Sequence, residues 1–79
     1  MKNQQMILEE ILSSAIRSAL DAQMTAARNP VDEGKLMAYY DIITVAKEQA
    51  ALIGYEFGDK TIAAFDPDTL LKPPAAKAA

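Results

Sequence analysis

A regularly spaced stripe of alanines is the feature that most constrains how this chain folds. Between Asn3 and Arg28 there is no glycine or proline, and six small or apolar residues recur at alternating intervals of four and three: Leu8, Leu12, Ala15, Ala19, Ala22 and Ala26. This is the a/d pattern of a helix that packs along a second helix. Five later residues repeat the spacing: Tyr39, Ile43, Ala46, Ala50 and Ile53, with Phe57 next if the helix extends that far.

These two stripes predict an antiparallel helical hairpin. Alanine at successive contact positions lets two helix axes approach closely, and a short connection makes consecutive helices antiparallel neighbours. The first helix is expected over residues 3–28, because the residue before Pro30 is disfavoured in helical backbone. The second is expected over 30–54, with Asn29 as its N-cap, Pro30 in its first position and Gly54 as the glycine that terminates it after about Ile53.

Two short helices are predicted after the hairpin. The first spans about 59–65 and the second 66–71, with Asp59 and Asp66 placed to cap them. The remaining residues, 72–79, have no large apolar side chain and are expected to form a flexible tail. Residues 1–71 are therefore interpreted as a single helical domain.

The apolar arc of the first helix is wider than one neighbouring helix can cover. At about 100° per residue it runs from Ile11 through the alanine stripe to Ile16 and Leu20, close to half of the circumference. The segment Ile62–Leu71 has enough large apolar residues for one edge of this arc. We therefore expect a second copy of the chain to cover the other edge, which gives a homodimeric helical bundle. On the opposite, polar arc, Arg17 and Asp21 are spaced for an ion pair.

Composition restricts the possible functions. The 79 residues include no cysteine and no histidine, which excludes disulfides, thiolate zinc sites and histidine chemistry. A net charge of -3 provides neither the basic surface of a nucleic-acid-binding protein nor a polybasic membrane patch. The sequence begins without the apolar core of a signal peptide and has no apolar run long enough to span a membrane, so we expect a cytoplasmic protein.

The remaining polar residues do not form a catalytic or metal-binding pattern. Ser13 and Ser14 lack a histidine or lysine on the same helix face and are interpreted as surface residues. Asp59, Asp66 and Asp68 do not have the spacing of a calcium loop, and helix capping is the favoured interpretation for all three. We expect no enzyme activity, no cofactor and no metal.

A protein-binding function is the favoured hypothesis. The second helix has a predicted rim around Tyr40, where an aromatic ring with a polar tip suits a protein contact, and an apolar flank beyond it. The residues expected to bind the partner are Tyr40, Met37, Leu36, Lys47 and Leu52. The chain would act as an inhibitor, adaptor or regulator of a larger protein, and its small size and acidity are typical of accessory proteins of bacteria and their phages.

A second hypothesis is a helical dimer that binds a metabolite or nucleotide. Close approach of the alanine-rich helices leaves room for a pocket at the dimer interface, and Tyr39, Tyr40 and Lys47 would edge it. The sequence has no phosphate-binding loop. Imitation of DNA is a weaker third possibility, because eight basic residues partly neutralise the eleven acidic ones.

Overall fold

The computed structural model describes residues 2–73, and residues 74–79 of the predicted tail lie outside this range. It contains two long helices, one short helix and one 3-10 helix: α1 (Lys2–Thr25), α2 (Pro30–Leu52), α3 (Lys60–Ala64) and the 3-10 helix Pro67–Leu71. Residues 2–73 include no strand, which confirms the all-helical prediction. Neither long helix in this range has an apolar stretch sufficient to cross a bilayer.

The signals at the start of α2 act as predicted. The Asn29 side chain accepts a hydrogen bond from the Val31 amide at 2.9 Å, and Pro30 occupies the first helical position, where its missing N–H costs nothing. Helix α1 ends at Thr25 instead of the predicted residue 28. The Thr25 hydroxyl donates to the Asp32 carboxylate, so the last turn of α1 is tied to the first turn of α2 and the intervening residues form the connection.

The two alanine stripes form the contact between α1 and α2. Most of their residues are buried or half-buried: Leu12, Ala15, Ala19 and Ala22 on α1, Ala26 just past its end, and Tyr39, Ile43, Ala46 and Ala50 on α2. The outermost pair, Leu8 and Ile53, is exposed. Helix α2 ends at Leu52, and Gly54 turns the chain away with a φ of 73°, a left-handed conformation that glycine adopts without strain. Phe57 is consequently outside α2.

The C-terminal segment, residues 59–71, covers one edge of the hairpin. Ile62 from α3 and Leu70 from the 3-10 helix are both fully buried in the core, together with Leu36 and Ile16. Gln23 on α1 holds the end of the segment, since its amide donates to the carbonyl oxygens of Thr69 and Lys72, both at 2.8 Å.

Predicted caps begin both short helices. The Asp59 carboxylate accepts hydrogen bonds from the amides of Thr61 and Ile62, and the Asp66 carboxylate accepts from the Asp68 amide at 3.0 Å. The capping interpretation of Asp59 and Asp66 is confirmed. Asp68 is not a cap, because its carboxylate accepts instead from the Tyr40 hydroxyl at 3.1 Å.

Candidate binding face

The edge of the hairpin opposite the C-terminal segment carries an exposed aliphatic surface. It consists of six residues, each 43–78% exposed: Ile7, Leu8, Ile11, Ile42, Val45 and Ile53. We call these six residues the open face. On α2, the residues that contact the C-terminal segment include Tyr40 and Lys47, and at about 100° per residue the open-face residues lie more than 100° away from them.

The same relationship holds on α1. Glu9 and Gln23 point to the C-terminal segment, whereas Ile7 and Ile11 lie more than 100° around the helix from them. Because the helices are antiparallel, the beginning of α1 is beside the end of α2, which brings Leu8 next to Ile53. The open face is therefore a surface shared by both helices, and none of its six residues is charged.

Charged residues on α1 pair on the polar arc. The Arg17 guanidinium lies 3.6 Å from the Glu10 carboxylate and donates to the Ser13 hydroxyl at 2.9 Å. The predicted pair of Arg17 with Asp21 is therefore wrong, because the guanidinium reaches toward the preceding turns of the helix. These groups are exposed, so their pairing contributes little to stability.

An apolar pocket of about 230 Å³ lies at the end of the open face where α1 begins and α2 ends. Eight residues line it: Leu8, Leu12, Ala46, Gln49, Ala50, Ile53, Tyr55 and Phe57. Two of them, Leu8 and Ile53, belong to the open face. The pocket exists because small alanine side chains occupy the contact between the helices at a point where α2 is about to end.

Tyr40 and Lys47, two of the predicted partner-binding residues, make intramolecular contacts with the C-terminal segment. The Lys47 ammonium donates to the carbonyl oxygens of Ile62 and Ala63 at 2.6 and 3.1 Å, and it lies 5.5 Å from the centre of the Phe57 ring. Burial lowers the pKa of Lys47, while the hydrogen bond to Asp68 is the main cause of a raised pKa for Tyr40. Both side chains hold the C-terminal segment on the hairpin.

The other three predicted partner-binding residues have different surroundings. Leu36 is 7% exposed and belongs to the core, so its assignment to a binding surface is corrected. In the sequence pattern Leu36 lies at the edge of the contact between α1 and α2. The 3-10 helix packs over this side of α2 and buries it. Met37 and Leu52 are exposed on the outer flank of α2, beside Asp41 and Glu48.

The residues predicted to edge a ligand pocket do not line a common cavity. Tyr40 and Lys47 line one open depression of about 370 Å³, together with residues of the C-terminal segment. Tyr39 is absent from that lining and packs against the core. In residues 2–73, no three acidic side chains lie together as a metal site requires.

Sequence reasoning missed the role of Glu9. Its carboxylate accepts hydrogen bonds from the Tyr55 hydroxyl at 2.7 Å, the Gly58 amide at 2.8 Å and the Asp59 amide at 2.9 Å. The Tyr55 hydroxyl, followed by the Gly58 amide, lowers the pKa of Glu9. Burial, followed by the hydrogen bond to Glu9, raises the pKa of Tyr55. We call this arrangement the Glu9 clasp, and it fixes the loop after α2 to the beginning of α1.

The chain was compared with protein-family models, with characterised proteins and with solved structures. Neither a protein-family model, nor a characterised protein, nor a solved structure matches the chain. The open face, the apolar pocket and the outer flank of α2 are thus the features from which a function can be inferred.

Proposed function

We propose that this protein is a non-enzymatic binding module that forms a homodimer through its open face. The observation that carries the homodimer is an uncharged surface of four isoleucines, one leucine and one valine, all exposed on one edge of the hairpin. Exposed large aliphatic side chains clustered on one edge of a protein are characteristic of protein contact sites. A two-fold dimer places the same surface on both copies, so an uncharged face meets an uncharged face without repulsion.

The apolar area of the open face is close to the area that a homodimer interface needs. Complete burial of a large aliphatic side chain is worth up to about 3 kcal/mol, which corresponds to roughly 120 Å² of apolar surface. At their observed exposure, the six side chains offer roughly 400 Å². A standard interface buries about 800 Å² on each copy and is about 65% apolar in homodimers, so it needs about 500 Å². The half-buried Tyr39 and Ala46 lie beside the open face and can supply the remainder.

We propose further that the dimer acts on a larger protein, as an inhibitor, adaptor or regulator. The surface we assign to this contact is the outer flank of α2, formed by Met37, Asp41, Glu48 and Leu52. Methionine adapts its shape to a partner, and two carboxylates beside apolar side chains favour a partner groove rimmed by lysine and arginine. Met37 and Glu48 lie more than 100° around α2 from Ile42, so this part of the outer flank remains accessible in the dimer, whereas Leu52 borders Val45 of the open face.

Light scattering tests the homodimer. At micromolar concentration the wild-type chain is expected to have the mass of a dimer, and Ile42→Lys the mass of a monomer with unchanged helical circular dichroism. Met37→Lys places the same charge on the outer flank and is the matched control, which should remain dimeric. A monomeric wild-type chain at this concentration would contradict the proposal.

Affinity capture tests the outer flank. A protein retained from a lysate counts as the partner when Met37→Lys, which should remain dimeric, abolishes its capture and Asp21→Asn, on the polar arc of α1, leaves the capture unchanged. Because the flank is acidic, raising the salt concentration should also weaken the capture. Retention that is identical for wild type and Met37→Lys would contradict the assignment of the partner contact to the outer flank.

A further inference from the structure

The apolar pocket has a lining that can hold only an uncharged group. Six of its eight lining residues are aliphatic or phenylalanine, and the two polar ones are Gln49 and Tyr55. The Tyr55 hydroxyl donates its proton to Glu9 at 2.7 Å, so it cannot also donate to a ligand. A charged or strongly polar ligand would lose its hydration in this pocket without gaining an ion pair.

The size of the pocket identifies the kind of group that fits. An apolar cavity of about 150 Å³ is large enough to bind benzene, whereas metabolite sites are usually about 300–1,000 Å³. The pocket, at about 230 Å³, lies between these values. It therefore suits one large side chain and is too small for a nucleotide or a typical metabolite.

The position of the pocket indicates where that side chain comes from. Leu8 and Ile53 form part of both the pocket and the open face, so a protein that covers the open face also covers the pocket. In a two-fold dimer the covering surface is the open face of the second copy. Four of its six exposed residues are isoleucines: Ile7, Ile11, Ile42 and Ile53.

We infer that each copy of the homodimer inserts one open-face isoleucine into the pocket of the other copy. This inference rests on the proposed homodimer. The apolar area of the open face, which is close to that of a homodimer interface, supports a second copy as the protein that covers the pocket. The inserted side chain would contact Leu12, Ala46 and Phe57 and exclude water from the end of the contact between α1 and α2. The pocket is then the point at which the two copies interlock.

Nuclear magnetic resonance of a mixed dimer tests the contact. One copy has ¹³C-labelled methyl groups and the other is unlabelled. We expect intermolecular nuclear Overhauser effects from the methyls of Leu12, Ala46 and Ala50 to an isoleucine of the unlabelled copy. Absence of intermolecular effects at all three positions in a sample that is dimeric by light scattering would overturn the inference and leave the homodimer intact.

A filled pocket provides a second test. Ala46→Leu places its own side chain in the cavity and is expected to raise the dissociation constant of the dimer at least about tenfold. Ala51→Leu adds the same atoms at an exposed position of α2 outside this pocket and should leave the dissociation constant within about twofold. If Ala46→Leu fails to fold, Gln49→Phe at the exposed rim closes the pocket instead.

The two proposals fail in different ways. A monomeric wild-type chain contradicts the homodimer and therefore also the insertion of an isoleucine into the pocket of the other copy. If a variant with a filled pocket folds and dimerises with undiminished affinity, only the insertion of the isoleucine is contradicted.

Discussion

Leu70 and Leu71 are adjacent residues in the 3-10 helix, and their difference in burial gives a direct test of how the C-terminal segment is held. Leu70 is 1% exposed and lies in the core with Leu36, Ile43 and Ile62, whereas Leu71 is 52% exposed. The change Leu70→Ala removes the same atoms as Leu71→Ala. Only the first change removes them from the core.

The expected cost of Leu70→Ala follows from its position. Leu→Ala changes at buried sites cost about 2–5 kcal/mol, with the larger values where the surroundings cannot relax. Leu70 belongs to a five-residue element near the end of the described chain, which can shift toward the hairpin and reduce the cavity. We therefore expect about 2–3 kcal/mol, or a decrease in melting temperature of roughly 10–20 °C for a domain of this size.

Thermal and urea unfolding, followed by circular dichroism, measure this difference. All variants must be compared at one protein concentration, because dimerisation adds a concentration-dependent term to stability. Leu71→Ala should cost less than about 1 kcal/mol, as expected for a half-exposed residue. If Leu71→Ala destabilises the protein as much as Leu70→Ala does, the packing of the 3-10 helix on the hairpin is not the one described above.

Two further predictions concern the Glu9 clasp and the extent of the open face. The pKa of Glu9 is below its ordinary value of 4.5 in the folded chain, so its stabilising effect is complete above that value and is lost as the pH falls through the folded-state pKa. Glu9→Gln should therefore flatten the decrease in melting temperature between about pH 5 and pH 3, and an unchanged pH profile would contradict the clasp. On α1, Ile11→Lys should yield a monomer by light scattering, whereas Ser14→Lys, less than one turn further along, should remain a dimer. Monomers from both variants would place Ser14 inside the interface.

The fold could be predicted from the sequence wherever a local signal determines it. Two helices begin at a capping residue followed by proline, Asn29 with Pro30 and Asp66 with Pro67. A cap forms among residues that are close in sequence, so the residues that predict it are also the ones that form it. The alanine stripes required a longer pattern, but helical periodicity is itself a local property. Their ends were predicted less well, because the point at which α2 stops depends on the turn at Gly54 and on the path of the chain beyond it.

The site could be predicted only in part, because its side chains meet across long sequence separations. Glu9 is a polar residue at the edge of the apolar arc of α1, and this placement is the one signal that could have indicated a tertiary contact. Its acceptance of amides at Gly58 and Asp59 requires the loop to turn back toward α1. The contacts of Tyr40 and Lys47 likewise depend on where the C-terminal segment docks, so the sequence pattern placed both at a free rim.

The side of α1 that belongs to the open face changes character along the helix, and this change limits the interface. Ile7, Ile11, Ser14 and Ser18 follow one another at intervals of four, three and four residues, so they lie along one stripe of α1. The stripe is apolar where α1 begins and polar one turn later, while α2 continues the apolar surface through Ile42 and Val45. An interface that avoids burying the serine hydroxyls must therefore centre on the end of the hairpin that contains the apolar pocket. That is the end at which the Glu9 clasp fixes the loop beneath the pocket, so the same loop that stabilises the monomer also shapes the surface on which we expect the second copy to bind.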